Sequence, residues 1–333
     1  MSKTNRSALA ARPPEPLAKN PLLAQQAMRP FMVKPGYLLA RINQIYVSLY
    51  GEVSGGETVA QTELLLLVAS NEKLDQISLA RAAGLDTSTT ALILDNLQTR
   101  GLVVRESDSN DRRRSILHLT AAGRKRVPGV RESFLVTQSQ LAEPLGKTGL
   151  VQLKHLLRHI AANPLSPAPL WVPEDREGGI GENTVTGSLG FLCRRALQLC
   201  EAYFLSCAAP LSLTPRQFSV LFLVNRKGQL SQVEFSRLFG LDPATSSVVM
   251  KNLTTRGLLD RRVSAKDRRA RLFSLTETGR AMLGDAQPLV DKSERLVFHG
   301  CTKADVRQLV ARLQQLVKAH SGRLTFPGLS VAD

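Results

Sequence analysis

The chain has 333 residues, which predicts two domains at roughly 150 residues per domain. Hydrophobic residues make up 43% of the sequence and charged residues 22%, a composition that is typical of globular proteins and excludes a disordered chain or a fibre. Lys and Arg outnumber Asp and Glu by 44 to 28, so the formal charge is +16. This excess favours a polyanionic partner, nucleic acid first.

Neither a membrane nor an oxidising compartment is indicated. The longest aliphatic run, residues 64–69, is six residues long, whereas a membrane-spanning helix needs about 20. The N-terminal segment is polar, contains prolines and lacks the apolar core of a secretory signal. The four cysteines all lie in the second half of the chain and are a poor disulfide framework. We therefore expect a cytoplasmic protein with reduced thiols.

The chain contains an internal repeat. Residues 85–124 and 241–280 align without a gap at an offset of 156 and share 17 identities in 40 positions. Near the start of the copies, GYLLAR from Gly36 matches GFLCRR from Gly190 at an offset of 154. A repeat of this length indicates two copies of one domain.

The copies divide the chain into five segments. We expect a flexible basic N-terminal arm (residues 1–34), a first domain (35–162), a Pro/Gly-rich linker (163–187), a second domain (188–322) and a C-terminal tail (323–333). The only tryptophan, Trp171, lies in the linker. We interpret it as an anchor that packs the linker onto a domain.

Each copy begins with two helices. Apolar residues recur every three or four positions over residues 36 to about 50 and 190 to about 207. The second helix is capped by Thr58 in one copy and by Thr214 in the other. Two short helices around a tight turn come next, and this pattern predicts a helix-turn-helix. Its second helix is the candidate recognition helix.

A β-hairpin, or wing, follows the recognition helix in each copy. LVVRES and LLDRRV are predicted strands, and SILHLT and RLFSLT return from a charged turn. Thr120 and Thr276 then cap long helices, and a further helix ends each copy. The predicted fold class is mainly α with small β-wings (α+β): two winged helix-turn-helix domains.

These features resemble the MarR family of winged helix-turn-helix transcriptional regulators. The motifs that carry the resemblance are DRR in the wing, RGL after the recognition helix, and LT followed by Gly-Arg at the next helix. Nearly all of both copies is covered. In that family two subunits pair through their first and last helices. The resemblance therefore implies an intramolecular pseudo-dimer, packed through these helical dimerisation elements, and leaves further homodimerisation open.

The implied function is sequence-specific binding of double-stranded DNA by a transcriptional regulator, taken here as a repressor. Two recognition helices and two wings of one chain would read an imperfect palindrome with half-sites about 10 bp apart. Two alternatives stay open at this point: a non-specific architectural DNA-binding protein and a winged-helix scaffold that binds protein. No phosphate loop, nucleophile motif or metal-ligand spacing is present in the sequence, so we expect no enzyme activity, cofactor or metal.

The family's docking mode, helix in the major groove and wing tip in the minor groove, implies candidate DNA contacts. On the recognition helices they are Thr87, Ser88, Thr89, Thr90, Thr245, Ser246 and Ser247. Their hydroxyls suit hydrogen bonds to phosphates and base edges. Helix capping is the alternative role of these residues. In the wings they are Asp111, Arg112, Arg113, Asp267, Arg268 and Arg269, because an Arg fits a narrow minor groove.

Relatives also commonly bind a small aromatic or phenolic acid between the dimerising helices and the winged domain. The corresponding effector candidates on the first helices are Arg41, Tyr46, Arg194, Arg195 and Tyr203, each with a surface or interface position as its alternative role. Some peroxide-sensing members carry a reactive cysteine near the start of the first helix, and Cys193 lies at about that place. Its flanking arginines would favour a thiolate. A thiol-based redox-sensing regulator is thus a further alternative, with helix packing as the other interpretation of this cysteine.

Overall fold

A computed structural model describes residues 26–71, 74–108, 115–163, 165–172, 184–264 and 270–324. The chain is mainly helical with small antiparallel sheets, as predicted. The first copy consists of α1 (Pro35–Val53), α2 (Val59–Ser70), α3 (Gln76–Ala83), α4 (Thr87–Thr99), β1 (Val103–Ser107), β2 (Ser115–Leu119), α5 (Ala121–Ala142) and α6 (Gly146–Ala161).

The second copy has the same order with one additional short strand. It consists of α7 (Leu189–Cys207), α8 (Pro215–Lys227), β3 (Leu230–Ser231), α9 (Gln232–Phe239), α10 (Pro243–Thr255), β4 (Leu259–Val263), β5 (Arg271–Leu275), α11 (Glu277–Val297) and α12 (Lys303–Ala319). β1 pairs with β2 from Val103↔Leu119 to Ser107↔Ser115, and β5 lies between β3 and β4. Across the described ranges we find no helix with the length and hydropathy to span a bilayer.

The ends of the helix-turn-helix are fixed by local sequence, identically in both copies. Asp86 caps α4 by accepting from the Thr89 N–H at 2.7 Å, and Asp242 caps α10 by accepting from the Thr245 N–H at 2.8 Å. α3 ends at Gly84 and α9 at Gly240, both with φ of +61°. In this left-handed conformation, the Cβ of any other residue would lie too close to the following carbonyl oxygen, so glycine is favoured.

The first and last helices of the two copies build one shared hydrophobic core. α1 packs on α7 and α12, and α7 packs on α6 and α11. Leu38 and Ile42 of α1, Leu192 and Leu199 of α7, and Leu313 of α12 belong to the same buried cluster. Because this cluster crosses the boundary between the copies, neither first helix could be exposed without uncovering apolar surface of the other copy.

The end of the predicted N-terminal arm is packed, and there the expectation of a flexible segment up to residue 34 is wrong. Ala27, Met28 and Phe31 are buried in the core of the second domain. The Phe31 ring lies 5.1 Å from that of Phe239, edge to face. The physical reason is an apolar surface on the second domain that these side chains cover. Residues 1–25 lie outside the described part of the chain.

The linker is anchored by its tryptophan, which confirms that interpretation. Trp171 is 9% exposed, and its Nε1 donates to the carbonyl of Ala82 at 3.1 Å. The Val172 N–H donates to the carbonyl of Arg81, also at 3.1 Å. The linker therefore packs against the turn of the first helix-turn-helix.

A buried carboxylate fixes the C-terminal end of α4. Glu57 accepts from Arg100 Nη2 at 2.7 Å and from Arg126 Nη2 at 2.6 Å. Burial alone would raise the pKa of Glu57, but the hydrogen bonds and charges of Arg126 and Arg100 outweigh burial and lower it. With a lowered pKa in the folded chain, the stabilisation is complete above the ordinary glutamate pKa and is lost as the pH falls through the lowered value.

We expect Glu57→Gln to reduce the free energy of unfolding by roughly 1 to 3 kcal/mol at neutral pH, because charge-assisted hydrogen bonds from two arginines are lost. Urea unfolding followed by circular dichroism would measure the deficit relative to the wild type at several pH values. The deficit should shrink as the pH falls below the ordinary glutamate pKa. A deficit that stays constant down to the acid-unfolding range would contradict this role for the carboxylate.

Candidate DNA-binding surface and effector cavity

Most of the predicted hydroxyl contacts lie on the outer side of the recognition helices. Thr87, Ser88 and Thr89 are exposed at the start of α4, Ser247 is exposed on α10, and Thr245 is half-buried. The Thr89 and Thr245 hydroxyls each donate to the carboxylate of their own helix cap, at 2.7 and 2.5 Å. Each threonine therefore serves as part of the cap, and its oxygen remains able to accept a hydrogen bond.

Two predicted contacts, Thr90 and Ser246, are wrong. Both side chains are fully buried. The Thr90 hydroxyl donates to the carbonyl of Asp86 at 2.8 Å, and the Ser246 hydroxyl accepts from that of Ser236 at 2.7 Å. They occupy matching positions four residues after the helix cap, where the helix has turned its side chains towards the domain interior.

The outward face of each recognition helix also carries a large apolar side chain. Leu92 on α4 is 73% exposed, and Val248 at the matching position on α10 is 68% exposed. Single exposed apolar residues are ordinary on protein surfaces, but these two recur at one position of both copies. Each suits contact with a thymine methyl group in the major groove.

The wing strands are basic. Arg105 on β1 pairs with Asp95 of α4 at 2.8 Å, and Arg261 and Arg262 are exposed on β4. The predicted wing contacts themselves all lie outside the described residues: Asp111, Arg112, Arg113, Asp267, Arg268 and Arg269.

Each helix-turn-helix rests on the first helix of the other copy. Tyr37 of α1 donates to the carbonyl of Leu238 at 3.2 Å, and Gln44 of α1 donates to that of Gly240 at 3.1 Å. In the opposite direction, Arg194 of α7 donates to the carbonyl of Ala83 at 3.0 Å. The crossing of α1 and α7 therefore helps set the separation of the two recognition helices.

Two buried arginines occupy matching positions in this arrangement. Arg41 of α1 lies against the Gly240 turn, and Arg195 of α7 lies against the Gly84 turn. Burial lowers the pKa of Arg41, and burial together with the charge of Arg194 lowers the pKa of Arg195 to about 10. Sequence reasoning had offered both arginines as effector contacts and had missed their packing on the helix-turn-helix.

A cavity of about 500 Å³ lies between α1, α7 and the second winged domain. Its aromatic lining is Phe31, Tyr37, Phe204, Phe218, Phe222, Phe239 and Phe298. Its charged lining is Lys34, Arg41, Arg194, Arg216, Glu201 and Glu294. Its volume is that of a small-molecule site, and its place is the one predicted for an effector.

Of the five effector candidates, Arg41 and Arg194 line this cavity, whereas the other three are committed elsewhere. Tyr46 is buried and accepts a hydrogen bond from Gln138 Nε2 at 2.9 Å. Arg195 lies against the turn at Gly84. Tyr203 is buried and its pKa is raised by burial, with a hydrogen bond to Asn163 opposing the shift. The expectation of effector contact is therefore wrong for these three at this cavity, because packing occupies their side chains.

The basis for a redox sensor at Cys193 is wrong as well. Its side chain is 1% exposed, and burial raises the pKa of the thiol. Of the two flanking arginines, Arg194 forms an ion pair with Glu63 at 2.8 Å, and Arg195 packs against the turn at Gly84. A protonated, inaccessible thiol is a packing residue rather than a peroxide sensor.

Two family models match the chain, both described as the MarR family, over residues 58–115 and 211–270. The protein belongs to the MarR family. As a MarR protein it is a DNA-binding transcriptional regulator, and the two matches confirm the tandem arrangement.

Solved MarR-type structures resemble one copy at a time. One is BpsR of Bordetella bronchiseptica, whose DNA binding is regulated by 6-hydroxynicotinic acid. It is 30% identical in sequence, and the match covers 39% of this chain and 94% of the BpsR chain, with a TM-score of 0.38. The repressor CouR bound to a 23-mer DNA duplex is 31% identical, and the match covers 43% of this chain and 99% of the CouR chain, with a TM-score of 0.40. CouR from Rhodococcus jostii RHA1 bound to p-coumaroyl-CoA is 30% identical, and the match covers 38% of this chain and 90% of that CouR chain, with a TM-score of 0.35.

The docking of the helix-turn-helix on the opposite first helix can be tested at its glycines. We expect Gly84→Ala and Gly240→Ala each to cost roughly 1 to 2 kcal/mol of stability, because both residues are left-handed. A Cβ at position 240 would also overlap Nη1 of Arg41, whereas one at position 84 would lie 3.4 Å from Arg195. Gly240→Ala should therefore weaken DNA binding beyond its matched control, Gly84→Ala. Equal DNA affinity of the two variants, measured by fluorescence anisotropy, would contradict this coupling.

Proposed function

We propose that this MarR protein is a sequence-specific repressor in which one chain acts as a pseudo-dimer on one operator. The observation that carries the proposal is the shared core of α1, α7 and α12, which joins the two winged helix-turn-helix units. Two recognition helices joined by one core suit a two-fold operator, in which half-sites lie about one helical turn apart.

The two half-sites that we propose are unlike each other. Thr87 and Ser88 at the start of α4 are replaced by Pro243 and Ala244 at the start of α10. The first helix therefore begins with two exposed hydroxyls that the second lacks, whereas the second carries Ser247 where the first has Ala91. Such a difference favours an imperfect palindrome, with base contacts also made by the outward apolar residues.

The wings would supply the minor-groove contacts. We assign Arg112 and Arg268 to the groove, Asp111 and Asp267 to orienting them, and Arg113 and Arg269 to the neighbouring backbone. The repetition of Asp-Arg-Arg at one offset supports the assignment, together with the fit of a guanidinium to a narrow, electronegative groove.

We also propose that the cavity beside the second domain holds a small aromatic acid that releases the DNA. The cavity touches α1, α7 and the second winged domain, so a ligand there can favour one spacing of the recognition helices over another. Only a ligand with different affinity for the two spacings acts this way, and a coupling of about 1 to 3 kcal/mol is typical.

The test is fluorescence anisotropy with DNA from upstream of the protein's own gene and with a shuffled duplex, across a salt series. We expect a preference of roughly 10³-fold or more, with one chain per duplex. Equal and steeply salt-dependent binding to both duplexes would instead favour the architectural alternative, since counterion release acts on any sequence. Absence of binding to either would favour a protein-binding scaffold.

The wing assignment predicts the effect of Arg112→Ala combined with Arg268→Ala. DNA affinity should fall by roughly 1 to 3 kcal/mol per arginine, with little change in thermal stability because turn residues add little to a core. Lys303→Ala with Arg307→Ala is a matched control, since it removes the same charge from exposed positions of α12. Equal affinity of the wing variant and this control would refute the assignment.

A further inference from the structure

The cavity beside the second copy has an equivalent cleft beside the first copy, because its wall residues on the repeated helices have equivalent residues in the other copy. The smaller residues of the cavity wall include Ala40, Cys200, Ser219 and Val290. The offset of 154 in the first helices, and of 156 elsewhere, relates them in that order to Arg194, Tyr46, Glu63 and Phe134. Each of these four residues of the second cleft thus corresponds to a larger residue in the first.

Those large side chains fill the first cleft. The Tyr46 ring lies so close to Gly190 that a Cβ there would be 2.6 Å from Cζ, and its hydroxyl accepts from Gln138. Arg194 and Glu63 form an ion pair at 2.8 Å, with Glu63 1% exposed. Phe134 is buried in the same core. The interior of this cleft is therefore occupied by the chain itself.

The linker closes the same cleft from the outside. The Trp171 ring lies 5.8 Å from that of Phe191, and its Nε1 donates to the carbonyl of Ala82. At the matching carbonyl of the second copy, that of Leu238, the donor is Tyr37, which is a wall residue of the open cavity.

The chemistry of the open cavity points to an aromatic anion. Seven aromatic rings offer faces and edges to a flat ligand. Arg194 extends between the two clefts, and within the described residues its Nε and Nη1 are buried without a hydrogen-bond acceptor. A carboxylate or sulfonate would provide that acceptor.

We propose that each chain binds one aromatic anion, in the cleft of the second copy, while the first cleft is closed permanently by Tyr46, the Arg194–Glu63 pair and Trp171. The proposal rests on the proposed function for the ligand's regulatory role, but not for its number or place. A regulator built from two identical subunits has two such clefts related by symmetry, whereas this chain keeps one.

A titration with 1-anilinonaphthalene-8-sulfonate, an aromatic anion whose fluorescence rises in apolar sites, tests the number of sites without DNA. We expect saturation at one probe per chain. Cys200→Tyr should reduce the affinity by roughly tenfold or more by filling the cavity. The new ring can pack on Gly36 as Tyr46 packs on Gly190, because a Cβ at Gly36 is only 3.5 Å from that of Cys200.

Leu205→Tyr is the matched control, since it adds the same ring at an exposed position of α7, and it should bind the probe normally. Ala40→Met is a second cavity-filling variant that does not depend on the folding of Cys200→Tyr. Two probes per chain, or unchanged binding by a folded cavity-filling variant, would overturn the proposal. Failure of the proposed function is seen separately, as loss of operator preference in the anisotropy assay while the probe still binds once per chain.

Discussion

The close crossing of α1 and α7 is the constraint on which the other features depend. Gly190 lets the Tyr46 ring pack against α7, and Gly36 leaves space at the matching point beside Cys200. The crossing brings each first helix onto the helix-turn-helix of the opposite copy. A movement at this crossing must therefore move a recognition helix, since packed interiors transmit displacement rather than absorb it.

Much of the architecture was predictable from the sequence because it depends on local signals. Helix caps such as Asp86 and Asp242, the left-handed glycines and the charged hairpins act within a few residues, and their repetition made the duplication plain. The packing of Met28 and Phe31 was not predictable. Their partners, such as Phe222 and Phe239, belong to the second copy and are far away along the chain. The basic, proline-containing composition around Met28 and Phe31 resembles a tail.

The sequence located the recognition helices, but it did not indicate which of their side chains point outwards. Hydroxyl residues at a helix start do not reveal which of them turn inwards, so Thr90 and Ser246 were assigned to DNA and are buried. The open cavity did have a signal in the sequence. Comparison of the copies residue by residue, Tyr46 against Cys200 and Glu63 against Ser219, would have shown where one copy is small and the other large.

The two copies thus keep one fold with different interiors. In the first, burial raises the pKa of Glu63 while Arg194 opposes the shift. The Arg194–Glu63 pair stands where the second cleft has Ala40 and Ser219. Buried pairs of this kind seldom add net stability compared with apolar packing. The pair is better understood as fixing how the first domain sits on α7, which leaves adjustment to the second domain.

Covalent connection of the copies also changes how the protein responds to its own abundance. A regulator assembled from separate subunits loses its paired form on dilution, so its operator occupancy falls more steeply than its total concentration. Here the partner half is always present at a local concentration set by the linker. For the one-chain repressor that we propose, occupancy of the operator should therefore follow the number of chains per cell in a simple hyperbolic way. Repression would then persist at copy numbers at which a dissociating dimer had already released its site.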